Sequence, residues 1–393
     1  MAARWCPPPT SVRTAIPGPE WTRTMDGDRH REAPAAAVTA RYTEAMRRAL
    51  TLAARGPARS ENPQVGCVVL SPLGETLAEG WHRGVGTAHA EADALAHLAP
   101  GAAAGSTVVV TLEPCNHTGR TGPCTEALSA AGVARVVYAS DDPSPNAAGG
   151  AARLRAAGVE VIGGVLREEA QTLLGEWLFA AQHGRPRVTL KWAMSIDARA
   201  AAADGTSQWI TGNTARTDGH RRRGQHDAIA VGIGTILADD PALTARDERG
   251  ALLDEQPIPV VFGTRTVPAN AAVTRHPHRP VTMTGHDLLS DMSELKARGI
   301  RSLYVEGGPR LQTAFLRAGV VDEVLVYIAP LLLGGPNLAI GDLGPTTLDE
   351  AFALEFVRVE RIGTDVLLIA HPRSAAIGSS PDIPTTGPAR KGR

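Results

Sequence analysis

The chain is short of cysteine, of long apolar runs and of any excess of charge, and each shortage removes a class of protein. Four cysteines in 393 residues, at positions 6, 67, 115 and 124, are too few for a disulfide framework in a chain of this size. No leading hydrophobic segment reads as an export signal, and no apolar run approaches the roughly twenty residues that span a bilayer. The expected compartment is the cytoplasm, with no membrane partner. Lysine and arginine number 40 against 41 acidic residues, so no net field favours nucleic acid, and an anionic ligand must meet local arginines. What is present is a globular composition, 43% hydrophobic, on a chain too long for one core. Two domains are expected.

Residues 1–38, with "CPPPTSVRTAIPGPEWTRTMDGDRHREAPAAA", carry neither helical nor strand periodicity and are expected to be disordered. A start at Met25 would remove most of this extension. Residues 373–393 read as a second tail. Between the tails, "RYTEAMRRALTLAARG" predicts a helix, "VGCVVL" and "TLAEGW" a hairpin, and "AEADALAHL" a helix. Alternation then continues through "TVVVTL", "CTEALSAAG", "ARVVYAS" and "VEVIG", which implies a layered α/β sheet. The helix "REEAQTLLGEWLFAAQ" runs into "HGRPR", taken as the boundary between domains at 39–185 and 186–372. The second is richer in strand: "VTLKWAM", "DAIAVGIG", "IPVVFG", "SLYVEGG", "EVLVYIAP", "ALEFVRVERI" and "DVLLIA", with helices at "TARTDGHRRRG" and "PRLQTAFLRAG".

The segments "HAEADAL" and "LEPCNHTGRTGPC" gather metal-type residues. His89, Cys115 and Cys124 supply three N and S ligands, and a catalytic zinc site needs three plus an open position for water. All three stand at ends of predicted helices or strands, where they can converge on one sheet edge. Helix N-termini also favour thiolate. Glu91, in the first turn after His89, suits general acid/base work: taking a proton from zinc-bound water and returning protons to a ring nitrogen and a leaving amine. The competing reading is a structural zinc site. That would want four protein ligands, and the fourth candidate, His117, sits in a glycine-rich loop shaped to touch a ligand.

H-x-E followed by P-C and a second Cys resembles the signature of the zinc-dependent cytidine deaminase superfamily. Eight residues separate Cys115 from Cys124, and that loop, with "NPQVGCVV", is similar to the deaminase half of the bacterial bifunctional riboflavin-biosynthesis deaminase/reductase family. The resemblance implies a cytidine-deaminase-like three-layer domain with zinc on His89, Cys115 and Cys124 and proton transfer at Glu91. It also implies a pocket for a phosphoribosyl aminopyrimidine lined by Asn62, His82, His117 and Arg120. The implied reaction is hydrolytic removal of the 2-amino group of 2,5-diamino-6-(5-phosphoribosylamino)pyrimidin-4(3H)-one.

In the second half, Gly232-x-Gly234 follows a strand, but Leu237 stands where a dinucleotide fingerprint wants Gly or Ala. "LYVEGGPRLQTAF" places a Gly pair before a helix opened by Pro309, leaving backbone N–H groups for a phosphate. Arg223 and Arg246 are suited to clamp a sugar phosphate. In order, "SQWITG", "VGIGTILADDPALTAR", "VEGGPRL" and "YIAPLLLGG" are similar to the same family's reductase half. This implies a dihydrofolate-reductase-like α/β domain in which NADPH reduces the ribosyl chain to a ribityl chain. By that resemblance Ala193, Trp209, Thr235, Asp239, Thr264 and the loop from Gly308 hold NADPH, while Ser207, Arg223, Leu243, Arg246 and Glu306 hold substrate. The family also implies a homo-oligomer. Two positions depart from its pattern: Ala198 stands where Gly is usual and Gly263 where Asp is common. A left-handed backbone at 198 would strain Ala, so the alternative is an active deaminase beside a degenerate reductase.

Overall fold

The structure, a computed structural model, describes residues 29–117, 122–144 and 148–373. The first half runs α1 (Arg29–Ala53), β1 (Gly66–Leu70), β2 (Thr76–Trp81), α2 (Ala90–Ala96), β3 (Thr107–Leu112), α3 (Cys124–Ala130), β4 (Arg135–Ser140), α4 (Gly150–Ala156), β5 (Glu160–Gly163) and α5 (Arg167–His183). Its five strands lie in the order β2-β1-β3-β4-β5, with β1 antiparallel to both neighbours and β3, β4 and β5 parallel. Every residue of β1 and β3 is buried, as valine-rich strands are when helices cover both faces. Val68, Val109 and Val137 face α1 through Tyr42, Met46, Ala49 and Leu52, a stripe at helical spacing. Val69, Val108 and Val110 face the other way, onto Ala90, Ala94, Leu128 and Leu154 of α2, α3 and α4. The domain is the expected three-layer sandwich.

One boundary differs. Helix α1 begins at Arg29, so residues 29–38, expected to be disordered, are helical. The alanine-rich run there has the highest intrinsic helix propensity, a signal that the absence of a sharp apolar period hides. Residues 1–28 and 374–393 lie outside the described residues.

The second half runs β6 (Arg187–Ser195), α6 (Asn213–Arg223), β7 (Ala228–Gly232), α7 (Ile233–Asp239), β8 (Ile258–Phe262), β9 (Val281–Met283), α8 (Leu288–Ala297), β10 (Ser302–Val305), α9 (Pro309–Arg317), β11 (Glu323–Ala329), β12 (Leu354–Ile362) and β13 (Asp365–Pro372). Its sheet has the order β12-β13-β11-β6-β10-β7-β8-β9. The strands from β11 to β9 are parallel, and the β12–β13 hairpin closes one edge antiparallel. Three elements were not expected: α7, which starts directly after Gly232, the short edge strand β9, and α8. The last has its own signature, since Asp287 accepts from the amides of Leu289 and Ser290 and Leu288, Met292 and Leu295 form its buried stripe.

Both departures from the family pattern have a structural setting. Ala198 is left-handed, with φ of 62°, in a turn where its amide donates to Ser195 O at 2.9 Å and its carbonyl accepts from Ala339 N at 3.0 Å. Gly263 has φ of 136°, and a Cβ there would lie 2.5 Å from Ile233 Cγ2. A side chain at 263 would have to displace the first residue of α7. Relieving the left-handed alanine is worth about 1 kcal/mol, so Ala198→Gly is expected to raise the unfolding midpoint of the reductase half in a urea titration. An unchanged or lower midpoint would show that the turn carries no strain.

Candidate active sites

The zinc-type residues converge at the carboxyl end of β3. Cys115 follows that strand, His89 immediately precedes α2, and Cys124 is the first residue of α3. His89 Nδ1 lies 3.5 Å from Cys115 Sγ and 3.3 Å from Cys124 Sγ, and the three ligand atoms are all within 4.8 Å of one another. Tetrahedral zinc, with bonds of about 2.3 Å to sulfur and about 2.0 Å to nitrogen, holds such atoms about 3.5 Å apart. The donor set therefore fits the metal, with a fourth direction left for water.

Backbone contacts hold the loop. The Thr125 amide donates to Cys115 O at 3.3 Å, and the Cys124 amide to Cys115 Sγ at 3.4 Å. Glu113, buried two residues before Cys115, accepts from the amides of Ala151 at 2.8 Å and Asp142 at 3.3 Å, tying the end of β3 to the start of α4. At that junction Gly150 is irreplaceable, because a Cβ would fall 1.8 Å from Pro114 O. Hydrogen bonding from the Cys124 thiol and from His89 outweighs burial and holds the Cys115 thiol down, to about 4. The bond to Cys115, together with burial, pushes the Cys124 thiol up. Bound zinc would draw off that second proton as well.

His89, Cys115 and Glu113 form one side of a cavity of about 290 Å³ that also includes Asn62, His82, Glu91, His117, Asp142 and Trp177, with Cys124 buried behind it. Glu91 is 4% exposed, and burial raises its pKa despite the opposing pull of its own amide and of His89. His82 is also buried. Its Nδ1 meets Ala88 O at 2.9 Å, and its Nε2 meets Asn62 Nδ2 at 3.1 Å. With Nδ1 donating to the carbonyl, Nε2 accepts from the Asn62 amide, which fixes the amide's orientation. The Asn62 side-chain oxygen then has no partner among the described residues. His117 Nδ1 is likewise buried without a partner, as a ligand-directed atom would be. Arg120 lies outside the described residues. Glu113, Asp142 and Trp177 were missed by sequence reasoning; only "LEPC", with Glu113 at a strand end beside a ligand, carried a signal.

In the second half, most of the expected cofactor residues stand at the carboxyl ends of four adjacent parallel strands: Ala193 on β6, Thr235 in the first turn of α7 after β7, Thr264 after β8, and Gly308 after β10, while Asp239 lies at the far end of α7. A ligand crevice belongs at that edge of an open sheet. The two glycine turns are open there, since a Cβ on Gly232 or on Gly308 would meet nothing within 4 Å, which leaves their backbone within reach of a cofactor's phosphates. Trp209 is 69% exposed and has the Arg216 guanidinium 4.7 Å over its ring. Ser207 is exposed on the same segment.

Glu306 is the centre of the expected substrate group. Arg223 grips it through Nε at 2.8 Å and Nη2 at 2.6 Å, and Lys191 lies at 3.8 Å. Burial alone would raise the Glu306 pKa, but Arg223 and Lys191 outweigh it and hold the carboxyl at about 2. Arg223 is thus committed to Glu306 and, through Nη1, to Thr244 O at 3.2 Å. Arg246 bonds Thr244 Oγ1 at 3.0 Å and Gly250 O at 2.8 Å. Leu243, buried with φ of 55°, occupies a backbone region where residues at binding sites are often held. Asp197 instead accepts from Ser195 Oγ at 2.5 Å and from the amides of Leu333 and Gly334 at 3.1 and 2.7 Å. These bonds tie the turn after β6 to the 333–334 loop.

Comparison with known proteins bears on both sites. The cytidine and deoxycytidylate deaminase zinc-binding region matches residues 39–140, and the RibD C-terminal domain matches residues 186–368. Riboflavin biosynthesis protein RibD of Mycobacterium tuberculosis is 48% identical over 307 residues, covering 78% of this chain and 90% of that protein. The chain belongs to the RibD family. The Escherichia coli RibD is 42% identical over 358 residues, covering 82% of this chain and 97% of its own length. Among solved structures, Acinetobacter baumannii RibD superposes with a TM-score of 0.70 at 33% identity, over 85% of this chain and 99% of that one. A Thermotoga maritima deaminase/reductase superposes at 0.67 with 31% identity, over the same shares. Both halves are matched, so the chain is a bifunctional zinc-dependent deaminase and NADPH-dependent reductase of riboflavin biosynthesis. Nothing favours a lone deaminase.

Glu91→Gln keeps the size and removes the proton acceptor. It is expected to retain bound zinc and to lose two or more orders of magnitude in deaminase kcat, the scale of a lost general acid/base. Metal content and turnover measured on one preparation check this; a variant that turns over at the parental rate would remove Glu91 from the mechanism.

Proposed function

We propose that the residues gathered at the two sites carry two consecutive steps. In the first, the diaminopyrimidine ribotide lies in the cavity beside His89, Cys115 and Cys124 and loses its 2-amino group by hydrolysis. His89, Cys115 and Cys124 would hold a zinc ion, which would supply a water acidic enough to react near neutral pH. Glu91 is placed to accept a proton from the attacking water, and its burial-raised pKa suits it to pass protons to the ring nitrogen and the departing amine. The oriented Asn62 amide and the unpartnered His117 nitrogen hold the pyrimidine, and Arg120 and His82 complete the pocket. The observation that carries this reading is the His-Cys-Cys set at 3.3 and 3.5 Å with a buried glutamate in the same cavity.

In the second step the deaminated ribosylamine binds at Ser207, Arg223, Leu243, Arg246 and Glu306. Ala193, Trp209, Thr235, Asp239, Thr264 and the Gly308 loop would hold NADPH, which would supply the hydride. The chain's part is alignment. Arg223 and Lys191 keep Glu306 ionised, so it can accept hydrogen bonds from sugar hydroxyls. The product is 5-amino-6-(5-phosphoribitylamino)uracil. Incubation with the diaminopyrimidine ribotide and zinc, with and without NADPH, followed by mass analysis, tests both steps. An amine-to-carbonyl exchange is expected in each case and two added hydrogens only with NADPH; no NADPH consumption on the deaminated compound would sink the second step.

The protein acts in the cytoplasm as a homo-oligomer. Supporting the first, Cys67, Cys115 and Cys124 are held outside any disulfide, as a reducing compartment keeps them. Supporting the second, one face of the β12–β13 hairpin carries Phe356 and Val359 at 64% and 59% exposure beside Val366, an apolar surface at a sheet edge of the kind that pairs with a second copy. Val359→Lys is expected to lower the mass seen by light scattering after size exclusion. An unchanged mass would place the contact elsewhere.

A further inference from the structure

Arg59 belongs to the deaminase half, yet every polar contact of its guanidinium among the described residues is with the reductase half. Nη2 donates to Gly224 O, and Nη1 approaches Gln256 O at 3.4 Å. Ion pairs reach Glu255 at 3.1 Å and Asp227 at 3.9 Å. Two of these contacts matter for the substrate site. Gly224 is the C-cap of α6 and directly follows Arg223, so Arg59 places a cation against the negative end of the helix that presents Arg223. The Gln256 side chain holds Ala245 from both sides, accepting from its amide at 2.9 Å and donating to its carbonyl at 2.9 Å. Ala245 lies between Thr244, which receives Arg223 Nη1, and Arg246. One side chain thus holds, from behind, both segments that carry the reductase arginines. On its own side it stands three residues before Asn62, whose amide donates to Ser60 Oγ at 3.3 Å.

We propose that Arg59 is a positioning residue for the reductase substrate site, supplied in the same chain by the deaminase half. It fixes the end of α6 and the 243–246 segment so that Arg223, Glu306 and Arg246 keep their mutual geometry, and it touches neither substrate nor cofactor. This rests on the reading above that those residues hold the substrate.

Steady-state reductase assays of the full chain, supplied with the deaminated substrate, test it. Arg59→Ala is expected to raise KM for that substrate about three- to tenfold, the range for a residue that acts through its neighbours. KM for NADPH, kcat and deaminase turnover should stay within about twofold of the parent by the same reasoning. Arg59→Lys should restore part of the loss, because it keeps the charge without the planar fork; it also carries the test should Arg59→Ala not fold. Glu255→Ala, which removes only the exposed ion pair, should leave all constants near the parent. The inference is overturned if Arg246→Ala raises substrate KM and neither Arg59 variant does. It is equally overturned if kcat and both KM values worsen together with a lowered melting temperature, the signature of general loosening. If neither Arg246→Ala nor Arg59→Ala moves substrate KM, the placement of the substrate fails and the inference falls with it.

Discussion

Three ligand atoms borne by three separate segments have to meet within a few ångströms, and the deaminase half is organised around that requirement. His89 comes from the turn before α2, Cys115 from the end of β3 and Cys124 from the start of α3. None can drift without opening the set, so the contacts nearby are backbone contacts: Thr125 N on Cys115 O, and Glu113 on the amides of Ala151 and Asp142. The same economy explains Gly150, packed so closely on Pro114 O that no side chain fits. Rigid support of this kind keeps a metal site at its working geometry.

The reductase half solves a different problem with different means. It buries a carboxylate, Glu306, and keeps it charged by enclosing it between Arg223 and Lys191. Removing either cation would leave the other charges incompletely balanced in a region poorly screened by water, which is costly. Both halves nonetheless place their chemistry at the carboxyl ends of parallel strands, where loops are free to vary while the sheet below stays fixed.

Legibility in the sequence followed how local each signal was. The zinc ligands and Glu91 could be read because the chemistry restricts residue type and spacing within one short region. The layered α/β sheet could be read because its strands are valine runs separated by turn residues, and its three-layer form came with the family resemblance. Glu113, Asp142 and Trp177 could not, since their part depends on where β4 and α5 pack against the end of β3. Arg223 illustrates the limit from the other side: its place in the reductase site was read by resemblance, but its commitment to Glu306 is a long-range pairing that no local pattern encodes. Helix α1 was begun too late because intrinsic alanine propensity, rather than an apolar stripe, extends it to Arg29. Ala198 stands out only against the family's usual Gly, and the backbone there is left-handed.

The strand order has a consequence for how the protein comes into being. All five strands of the deaminase sheet, and most of the helices that cover it, have been synthesised once β5 has emerged, and the ligands of its metal lie between residues 89 and 124. In the other sheet β6 lies between β10 and β11, whose residues follow it by more than a hundred positions. The centre of that sheet therefore stays incomplete until β11 has been made, with β6 exposed on the emerging chain for longest. Strand edges left unpaired in this way are aggregation-prone until their partners arrive. During that interval the finished first half is the one solid body to which the unfinished second half is tethered, and chaperone demand falls on the strands awaiting their C-terminal partners.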